Sequence, residues 1–411
     1  MQKGSKVKVE KNGVIYEGIV MPSYGDVLII KLKNGYNVGL KIDEDLKILE
    51  LTEKAGPGAV KERVRKGKRE EEKEVSILGT GGTIASWVDY TTGAVHPAKS
   101  SEELLRYIPE IKRVASIKTR ILFSVFSENM GAEHWQSIAR CIKKELDEGS
   151  KGVVVTMGTD TMSYAASALS FMLREISGPV IVTGSQRSTD RPSSDGFLNL
   201  WYATRAALTD LGEVVVAMHE SISDDRMALH RACRVRKMHT SARDAFKSIG
   251  TKPIGWVDKD KIYLREYDKK SDKTVIDTAI DERVGMLYSY PGLSNEIFES
   301  FSENYGGIVL VGTGLGHCPV QILPGIKRAI DRGKAVAMSS QCVHGRVNMN
   351  VYSTGRKLLD AGVISCEDML PEVAMIKLMW VLGHTRDIEK VKELMGKEIA
   401  HEFCKRRRPN E

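Results

Sequence analysis

The chain has 411 residues, of which 42% are hydrophobic and 28% charged, and its formal net charge is +7. This composition is typical of a globular protein of about two or three domains. It contains no apolar run near the roughly 20 residues of a membrane-spanning helix, and its N-terminus lacks the apolar core of a secretory signal. We therefore expect a cytoplasmic protein, and a charge this mild permits contact with RNA without indicating it.

Residues 1–50 alternate apolar and polar side chains in two stretches, each containing an Asn-Gly pair, Asn12-Gly13 and Asn34-Gly35. Short strands joined by tight turns predict a small antiparallel β-barrel of SH3-like type, which would bind RNA or protein or brace its neighbour. Residues 51–73 carry dense mixed charge after "AGPG". We expect a solvated linker there, because such a segment cannot form a core.

From Val75 onward, short β-branched runs such as "VSIL" and "GVVVTM" alternate with helical patterns such as "MSYAASALSFMLREI". This alternation predicts parallel strands covered on both faces by helices, which is a doubly wound α/β fold. We place a larger α/β domain with the catalytic residues at 74–262, a linker at 263–281 and a smaller α/β domain at 282–411.

The glycine-rich stretch "ILGTGGTIAS" (77–86) ends the first of these strands. Ligands bind beyond the carboxyl ends of strands in open α/β sheets, so a phosphate loop is the first hypothesis. A Walker motif requires a lysine that the stretch lacks, and Ile84 stands where a dinucleotide fingerprint requires its third glycine. The glycines therefore favour exposure of a hydroxyl group, that of Thr83.

A second strand end, "VVVTMGTDTMSYAA" (153–166), combines glycine, threonine and aspartate before a predicted helix. The start of a helix offers backbone donors and favours an anion there. Taken alone, Asp160 is as readily explained as a helix cap.

Together, "TGGTIA" and "GTDTM" resemble the bacterial-type asparaginase/glutaminase family. Further matches are "GSQR…SSDGFLNL" (184–200), "VRKMHTSARDAF" (235–246) and "PEVAMIKLMWVLG" (371–383). The resemblance extends from Val75 to about residue 400 and implies two doubly wound α/β domains. The N-terminal barrel, with "SENMGAEHW" (127–135) and "GRVNMNVYSTGRKLLDAGV" (345–363), is similar to the D subunits of archaeal glutamyl-tRNA(Gln) amidotransferases.

The resemblance implies a catalytic set for amide hydrolysis. Thr83 matches the nucleophile, and Tyr90 falls in the segment where the family places a tyrosine that closes over the site. Thr159, Asp160 and Lys237 match a second set, in which Lys237 is the base that activates Thr159. Which threonine attacks first stays open.

Lys237 lies in a stretch with three other cations, Arg231, Arg234 and Arg236. Burial and neighbouring positive charge favour the neutral form of a lysine, which is the form that accepts a proton. For the arginines we expect a solvated basic stretch.

The remaining site residues follow from the substrate. Glutamine and asparagine carry an α-ammonium group, which a carboxylate such as Asp160 would bind. By resemblance, Ser127 and Glu128 bind the α-carboxylate and the amino group. The histidines show no metal-ligand spacing, so we expect this chain to bind no metal or cofactor.

The resemblance implies a glutaminase that passes ammonia to a partner protein, the E subunit of the amidotransferase, which binds ATP, Mg²⁺ and most of the Glu-tRNA(Gln). It also implies a homodimer core within a heterotetramer. The alternatives are a free-standing L-asparaginase and an RNA- or protein-binding scaffold with an inactive amidohydrolase fold. Glutamine versus asparagine preference stays open.

Overall fold

The computed structural model describes residues 5–21, 25–32, 37–52, 74–82, 86–88, 95–97, 111, 113–187 and 194–404. Its first part, which we call the N-terminal module, consists of residues 5–52 and contains five strands: β1 (Lys6–Lys11), β2 (Val14–Val20), β3 (Val27–Leu32), β4 (Asn37–Lys41) and β5 (Lys47–Thr52). All four pairings are antiparallel, in the order β4-β3-β2-β1-β5.

The module has a core of its own. Its members are small and branched apolar side chains: Val7, Val9, Val20, Leu28, Ile30 and Leu40. Asn12 and Gly13 both have positive φ, at 53° and 75°, which is the backbone of a tight hairpin turn. The turn expected at Asn12-Gly13 is therefore confirmed, while Asn34-Gly35 and residues 53–73 of the expected linker lie outside the described residues.

The larger α/β domain begins at β6. Its strands and helices, in chain order, are β6 (Glu74–Gly79), β7 (Ser86–Val88), β8 (Val95–Pro97), β9 (Ser116–Ile121), α1 (Ala132–Asp147), β10 (Gly152–Thr156), α2 (Met162–Met172), β11 (Leu173–Glu175), β12 (Val180–Thr183), α3 (Gly196–Ala206), β13 (Val214–His219), β14 (Arg226–Arg231), β15 (Val235–Lys237), β16 (Phe246–Ser248), β17 (Gly255–Asp258), β18 (Ile262–Leu264) and β19 (Val275–Ile276).

Eight of these strands form one sheet, in the order β18-β17-β14-β13-β12-β10-β6-β9. Five neighbouring strands of this sheet are parallel, as predicted: β13, β12, β10, β6 and β9. Of these, β10, β12 and β13 are buried along their whole length. The other three strands pair antiparallel. The sequence pattern did not reveal that change of direction, because a buried apolar strand has the same composition in either direction.

The helix predicted over "MSYAASALSFMLREI" ends at Met172, and the next three residues form β11. β11 pairs with β19, which lies inside the segment expected to be a linker at 263–281. That segment also contacts α1, because Lys143 and Gln136 donate hydrogen bonds to the backbone carbonyls of Thr274 and Thr278. It therefore packs against the larger domain over part of its length.

The smaller domain contains a four-stranded parallel sheet in the order β20-β21-β22-β23. Its elements are β20 (Val284–Tyr288), α4 (Asn295–Glu303), β21 (Gly307–Gly312), α5 (Leu323–Asp331), β22 (Ala335–Ser340), α6 (Ser353–Asp360), β23 (Ile364–Ser365), α7 (Pro371–His384) and α8 (Ile388–Gly396). The alternation of strand and helix expected after residue 282 is present throughout.

Helix α7 packs against both α/β domains. Trp380 stacks on Phe171 of α2, with ring centroids 6.3 Å apart, and the two sheets share one continuous hydrophobic core. Eleven of the fourteen residues of α7 are buried, which fits a helix that is covered on all sides. Within the described residues, every helix is too short or too polar to cross a membrane.

Burial of His230 makes the stability of the fold depend on pH. His230 lies on β14 with its Nδ1 2.8 Å from Ser248 Oγ, and burial lowers its pKa to about 3 from the ordinary 6.5. Below about pH 6.5, His230 of the unfolded chain binds a proton that the folded chain excludes. The folded state therefore has its full stability above about pH 6.5 and loses stability as the pH falls toward 3. We expect the free energy of unfolding to fall by about 1.4 kcal/mol per pH unit on this account.

Urea titrations of the wild type and of His230→Phe between about pH 7 and pH 4 test this expectation. The variant should lose stability less steeply as the pH falls. Parallel curves for the two proteins would contradict it.

Candidate active site

Glycines let the segment after β6 approach two other backbone segments closely: Gly82 meets Gly158 after β10, and Gly81 meets Val125 after β9. Gly81 and Gly82 have φ of +105° and +83°, a region that side chains other than glycine avoid. A Cβ added to Gly82 would lie 2.2 Å from the backbone nitrogen of Gly158. The glycines of "TGGT" are therefore explained by the close approach of other backbone segments of the chain on both sides.

Beyond this contact, a lysine joins a threonine and an aspartate. Lys237 Nζ donates to Thr159 Oγ1 at 2.9 Å and to Asp160 Oδ1 at 2.7 Å. Thr159 is buried and the Lys237 side chain is 13% exposed, whereas the Asp160 side chain is 70% exposed. The arrangement places a covered hydroxyl group beside an ammonium group, with a carboxylate open to solvent at the same point.

Ser127 lies directly against this site. It is buried in a short 3₁₀ helix, Ser127–Asn129, and a Cβ added to Gly158 would lie 2.8 Å from its Cβ. The hydroxyl of Thr161 donates to the carbonyl of Ser127 at 2.5 Å, a contact that the sequence pattern did not predict. Glu128, next in the chain, is exposed.

The structure thus brings together Ser127, Thr159, Asp160 and Lys237. Thr83 and Tyr90 lie outside the described residues. Gly82, the residue before Thr83, is described, and it packs on Gly158, the residue before Thr159.

Lys237 ends strand β15, which pairs with β16 in a hairpin. Each arginine near it forms an ion pair with its own carboxylate: Arg231 with Glu213 at 2.9 Å, Arg234 with Asp368 at 2.9 Å and Arg236 with Glu372 at 3.7 Å. The expectation of a solvated basic stretch is therefore wrong, because these side chains are buried or half-buried in the larger domain and at its boundary with the smaller one. Their charges are compensated within the pairs.

A buried polar network supports the loop after β12. Asn199 Nδ2 donates to the carbonyl of Gly184 at 2.8 Å and to Asp195 Oδ2 at 3.0 Å. The Asp195 carboxylate accepts the backbone N–H groups of Gln186 and Arg187, each at 3.0 Å. Asp195 and Asn199 are both fully buried. An Asp and an Asn spaced four apart in "SSDGFLN" are the sequence signal for this network, to which we assigned no role from the sequence.

The network continues through a histidine. His219 Nδ1 lies 2.6 Å from Asn199 Oδ1, and its Nε2 lies 3.3 Å from Asp224 Oδ1. Asp224 also forms an ion pair with Arg243. The hydrogen bond from His219 is the main cause that lowers the pKa of Asp224 to about 2, so this carboxylate is ionised at neutral pH and serves as an acceptor.

One cluster with metal-ligand atoms lies among the residues that the structure describes, at Glu213, Asp268 and His401. Glu213 already accepts hydrogen bonds from the guanidinium of Arg231 and from the backbone N–H of Asp268. Its oxygens are thus committed to donors of the protein, and the cluster gives no sign of an ion site.

The chain is similar over almost its whole length to curated archaeal proteins named as the D subunit of glutamyl-tRNA(Gln) amidotransferase. The relative from Pyrococcus furiosus is 50% identical over 98% of this chain and 94% of its own. The relative from Methanothermobacter thermautotrophicus is 48% identical over 98% of this chain and 94% of its own. The chain belongs to the D-subunit family of glutamyl-tRNA(Gln) amidotransferases.

Three family models divide this amidotransferase chain. The GatD N-terminal domain matches residues 1–51, the N-terminal asparaginase domain residues 74–270, and the C-terminal glutaminase/asparaginase domain residues 283–395. The family resemblance stated from the motifs is therefore confirmed. The N-terminal module lies outside both asparaginase matches.

Solved asparaginase structures resemble the rest of this amidotransferase chain. The thermostable L-asparaginase from Thermococcus kodakarensis has a TM-score of 0.74 and 34% identity, covering 80% of this chain and 99% of its own. L-asparaginase I from Vibrio cholerae has a TM-score of 0.72 and 32% identity, covering 81% of this chain and 99% of its own. The expected asparaginase-like α/β fold is confirmed.

Proposed function

We propose that this chain is the ammonia-supplying glutaminase of a tRNA-dependent amidotransferase that converts Glu-tRNA(Gln) to Gln-tRNA(Gln). The observation that carries the proposal is the contact of Lys237 with both Thr159 and Asp160. A covered hydroxyl group beside a lysine is an arrangement in which the lysine, once neutral, can take the proton of the hydroxyl group. Relatives that match nearly the whole chain carry the amidotransferase name.

We assign the chemical steps as follows. Thr83 attacks the side-chain amide carbon of glutamine, and the C–N bond breaks to release ammonia and leave an ester on Thr83. Water then hydrolyses the ester to free glutamate and the threonine, and Tyr90 closes over the site and assists. Thr159 is activated by Lys237 and acts in the same reaction, either on water or as a second nucleophile. Backbone N–H groups of the glycine turns at 81–82 and at 158 supply donors for the developing oxyanion, where one donor is worth roughly 3–4 kcal/mol.

Asp160 links substrate binding to the base. Its exposed carboxylate forms an ion pair with Lys237, and the α-ammonium of glutamine is a second cation that would bind the same group. When the substrate takes over part of this carboxylate, Lys237 loses part of its counter-charge, which favours release of its proton. The lysine is then ready to accept the proton of Thr159. Ser127 and Glu128 would hold the other α-substituents.

The N-terminal module supports a role with a partner protein. It leaves several large apolar side chains exposed, among them Ile15 at 56% and Ile48 at 51%, and exposed apolar surface is typical of interaction sites. We propose that the partner, the E subunit of the amidotransferase, binds ATP and Mg²⁺ and holds most of the Glu-tRNA(Gln). The carbon–nitrogen ligase reaction then belongs to the complex, and this chain supplies the ammonia.

We also propose a homodimer core within a heterotetramer. Two exposed apolar side chains are chain neighbours of site residues: Phe126, 59% exposed, precedes Ser127, and Met238, 46% exposed, follows Lys237. A second copy that covers them would complete the cleft. A monomeric mass of the purified chain in light scattering would overturn this assembly.

The function is tested by measuring ammonia release from glutamine and from asparagine. The purified chain is assayed alone and then with the E subunit, Glu-tRNA(Gln), ATP and Mg²⁺. We expect slow release by the chain alone and strong activation by the complete mixture, because an ammonia donor coupled to synthesis wastes less glutamine when its site is gated.

Two outcomes would contradict the proposal. Rapid release from asparagine by the chain alone, indifferent to partner and tRNA, would indicate a free-standing L-asparaginase. Absence of ammonia release in every mixture, with the partner protein still bound, would indicate a binding scaffold with an inactive site.

A further inference from the structure

We propose that His219 is a positioning residue for the hydrolysis proposed above, and that it sets the alignment of Thr159 with Lys237. These two residues are 78 positions apart in the chain, and they are carried by different parts of the larger domain. Their direct contact is one hydrogen bond and therefore leaves their relative position weakly determined. The buried network through His219 is a second, independent connection between the segments that carry them.

The first end of this connection lies against Thr159. Gly184 follows β12, and a Cβ added to it would lie 3.1 Å from Thr159 Cγ2. The carbonyl of Gly184 accepts from Asn199 Nδ2, so the position of Asn199 determines where this loop packs against the threonine.

The orientation of the Asn199 amide follows from its partners. Its Nδ2 faces two acceptors, the Gly184 carbonyl and the Asp195 carboxylate. Its oxygen therefore faces His219 Nδ1 at 2.6 Å, and the imidazole lies between this oxygen and the Asp224 carboxylate. His219 is 1% exposed, so no solvent competes for this bond.

The second end of the connection reaches the Lys237 hairpin. His219 Nε2 faces Asp224, and Asp224 binds the guanidinium of Arg243. Arg243 belongs to the turn between β15 and β16, and Lys237 is the last residue of β15. The side chain of Arg243 is 7% exposed, so the turn is held at a buried point.

His219 itself contacts neither Thr159 nor Lys237 through any described hydrogen bond, and it lies outside the substrate-binding segment around Ser127. A defect at His219 should therefore change the rate of the chemical step more than the binding of glutamine. A fall in kcat with an unchanged KM distinguishes a positioning role from a general loss of structure.

The test compares three variants of the full chain, assayed under the activating conditions described above. His219→Phe keeps an aromatic ring and loses both hydrogen bonds, and we expect kcat to fall by about 10²-fold, the usual effect of a displacement near 1 Å. KM should stay close to that of the wild type. His219→Asn places an amide nitrogen near the former Nδ1 and leaves the contact with Asp224 unmade, so it should recover only part of the loss.

Glu145→Gln is the matched control. Glu145 is also fully buried and bonded to a polar network, with Ser76 and Lys118, but that network lies at the amino ends of the strands, away from the site. Thermal unfolding of all variants shows how much stability each one loses. We expect Glu145→Gln to lose stability while kcat stays near the wild-type value.

Three results would overturn the inference. The first is an unchanged kcat in His219→Phe. The second is a fall in kcat in Glu145→Gln as large as that in His219→Phe at a similar loss of stability. The third is a folded His219→Asn variant that is no more active than His219→Phe. A wild-type chain without glutaminase activity in any mixture would instead overturn the proposed function, and the role of His219 with it.

Discussion

Replacement of Lys237 by methionine is expected to slow glutamine hydrolysis by about 10²–10⁴-fold, the usual contribution of a positioned base. Methionine keeps most of the length of the lysine side chain and removes the ammonium group that contacts Thr159 and Asp160. The fold should be retained, because the side chain is one of the partly exposed groups at the edge of the site. Steady-state ammonia release and circular dichroism measure the two expectations.

Lys247→Met is the matched control for this variant. Lys247 lies on the other strand of the same hairpin and pairs with Asp244 at 2.7 Å. A surface ion pair of this kind contributes about 1 kcal/mol at most, so activity should change little. Equal losses in the two variants would show that the hairpin, and not the amine of Lys237, is required.

Thr159→Val distinguishes the roles within the pair. If Lys237 acts through Thr159, the double variant Lys237→Met/Thr159→Val should be hardly slower than either single variant, because residues that act as a unit are not additive. If the double variant loses activity by the product of the two single-variant factors, the assignment is contradicted.

Replacement of Gly82 by alanine is expected to reduce activity by about 10²-fold, the usual effect of a displacement near 1 Å. The new Cβ would lie 2.2 Å from the backbone nitrogen of Gly158, and the φ of +83° is one that alanine avoids. Relief of this clash must separate the backbone before Thr83 from the backbone before Thr159. Kinetics of ammonia release, with thermal unfolding measured in parallel, test the prediction.

Gly79→Ala is the control, three residues earlier in the chain and at the end of β6. Its Cβ would meet the nearest atom, Ile121 Cγ1, at 3.5 Å, which is an ordinary van der Waals contact. This variant should keep its activity. Full activity of Gly82→Ala would mean that the approach of the two backbones is unimportant for the chemistry.

Local pattern was enough to predict much of this fold. The β-branched runs "GVVVTM" and "PVIVT" form buried parallel strands, because only a strand covered on both faces is apolar at every position. The turn at Asn12-Gly13 followed from the backbone preferences of its two residues. Where residues close in the chain decide a conformation, the sequence is sufficient to predict it.

Local pattern did not predict the three antiparallel strands of the large sheet. It also did not predict that part of residues 263–281 packs against the larger domain. Strand direction depends on which partner a strand meets, and β14 meets β13 in the antiparallel direction. Likewise the three arginines resemble a solvated basic stretch in sequence, because their carboxylate partners lie elsewhere in the chain. Arg231 pairs with Glu213, and Arg234 and Arg236 pair with Asp368 and Glu372 of the smaller domain.

The sequence by itself determined the kinds of groups at the site. Thr159, Asp160 and Lys237 were identified from their motifs, and the glycines of "TGGT" indicated that backbone had to approach something closely. Only the tertiary structure decided what each group meets: Gly158 against Gly82, Lys237 on Thr159, and His219 between Asn199 and Asp224. The physical reason is that a side chain's chemistry is local, whereas its contacts depend on the order of strands that bring distant segments to one sheet edge.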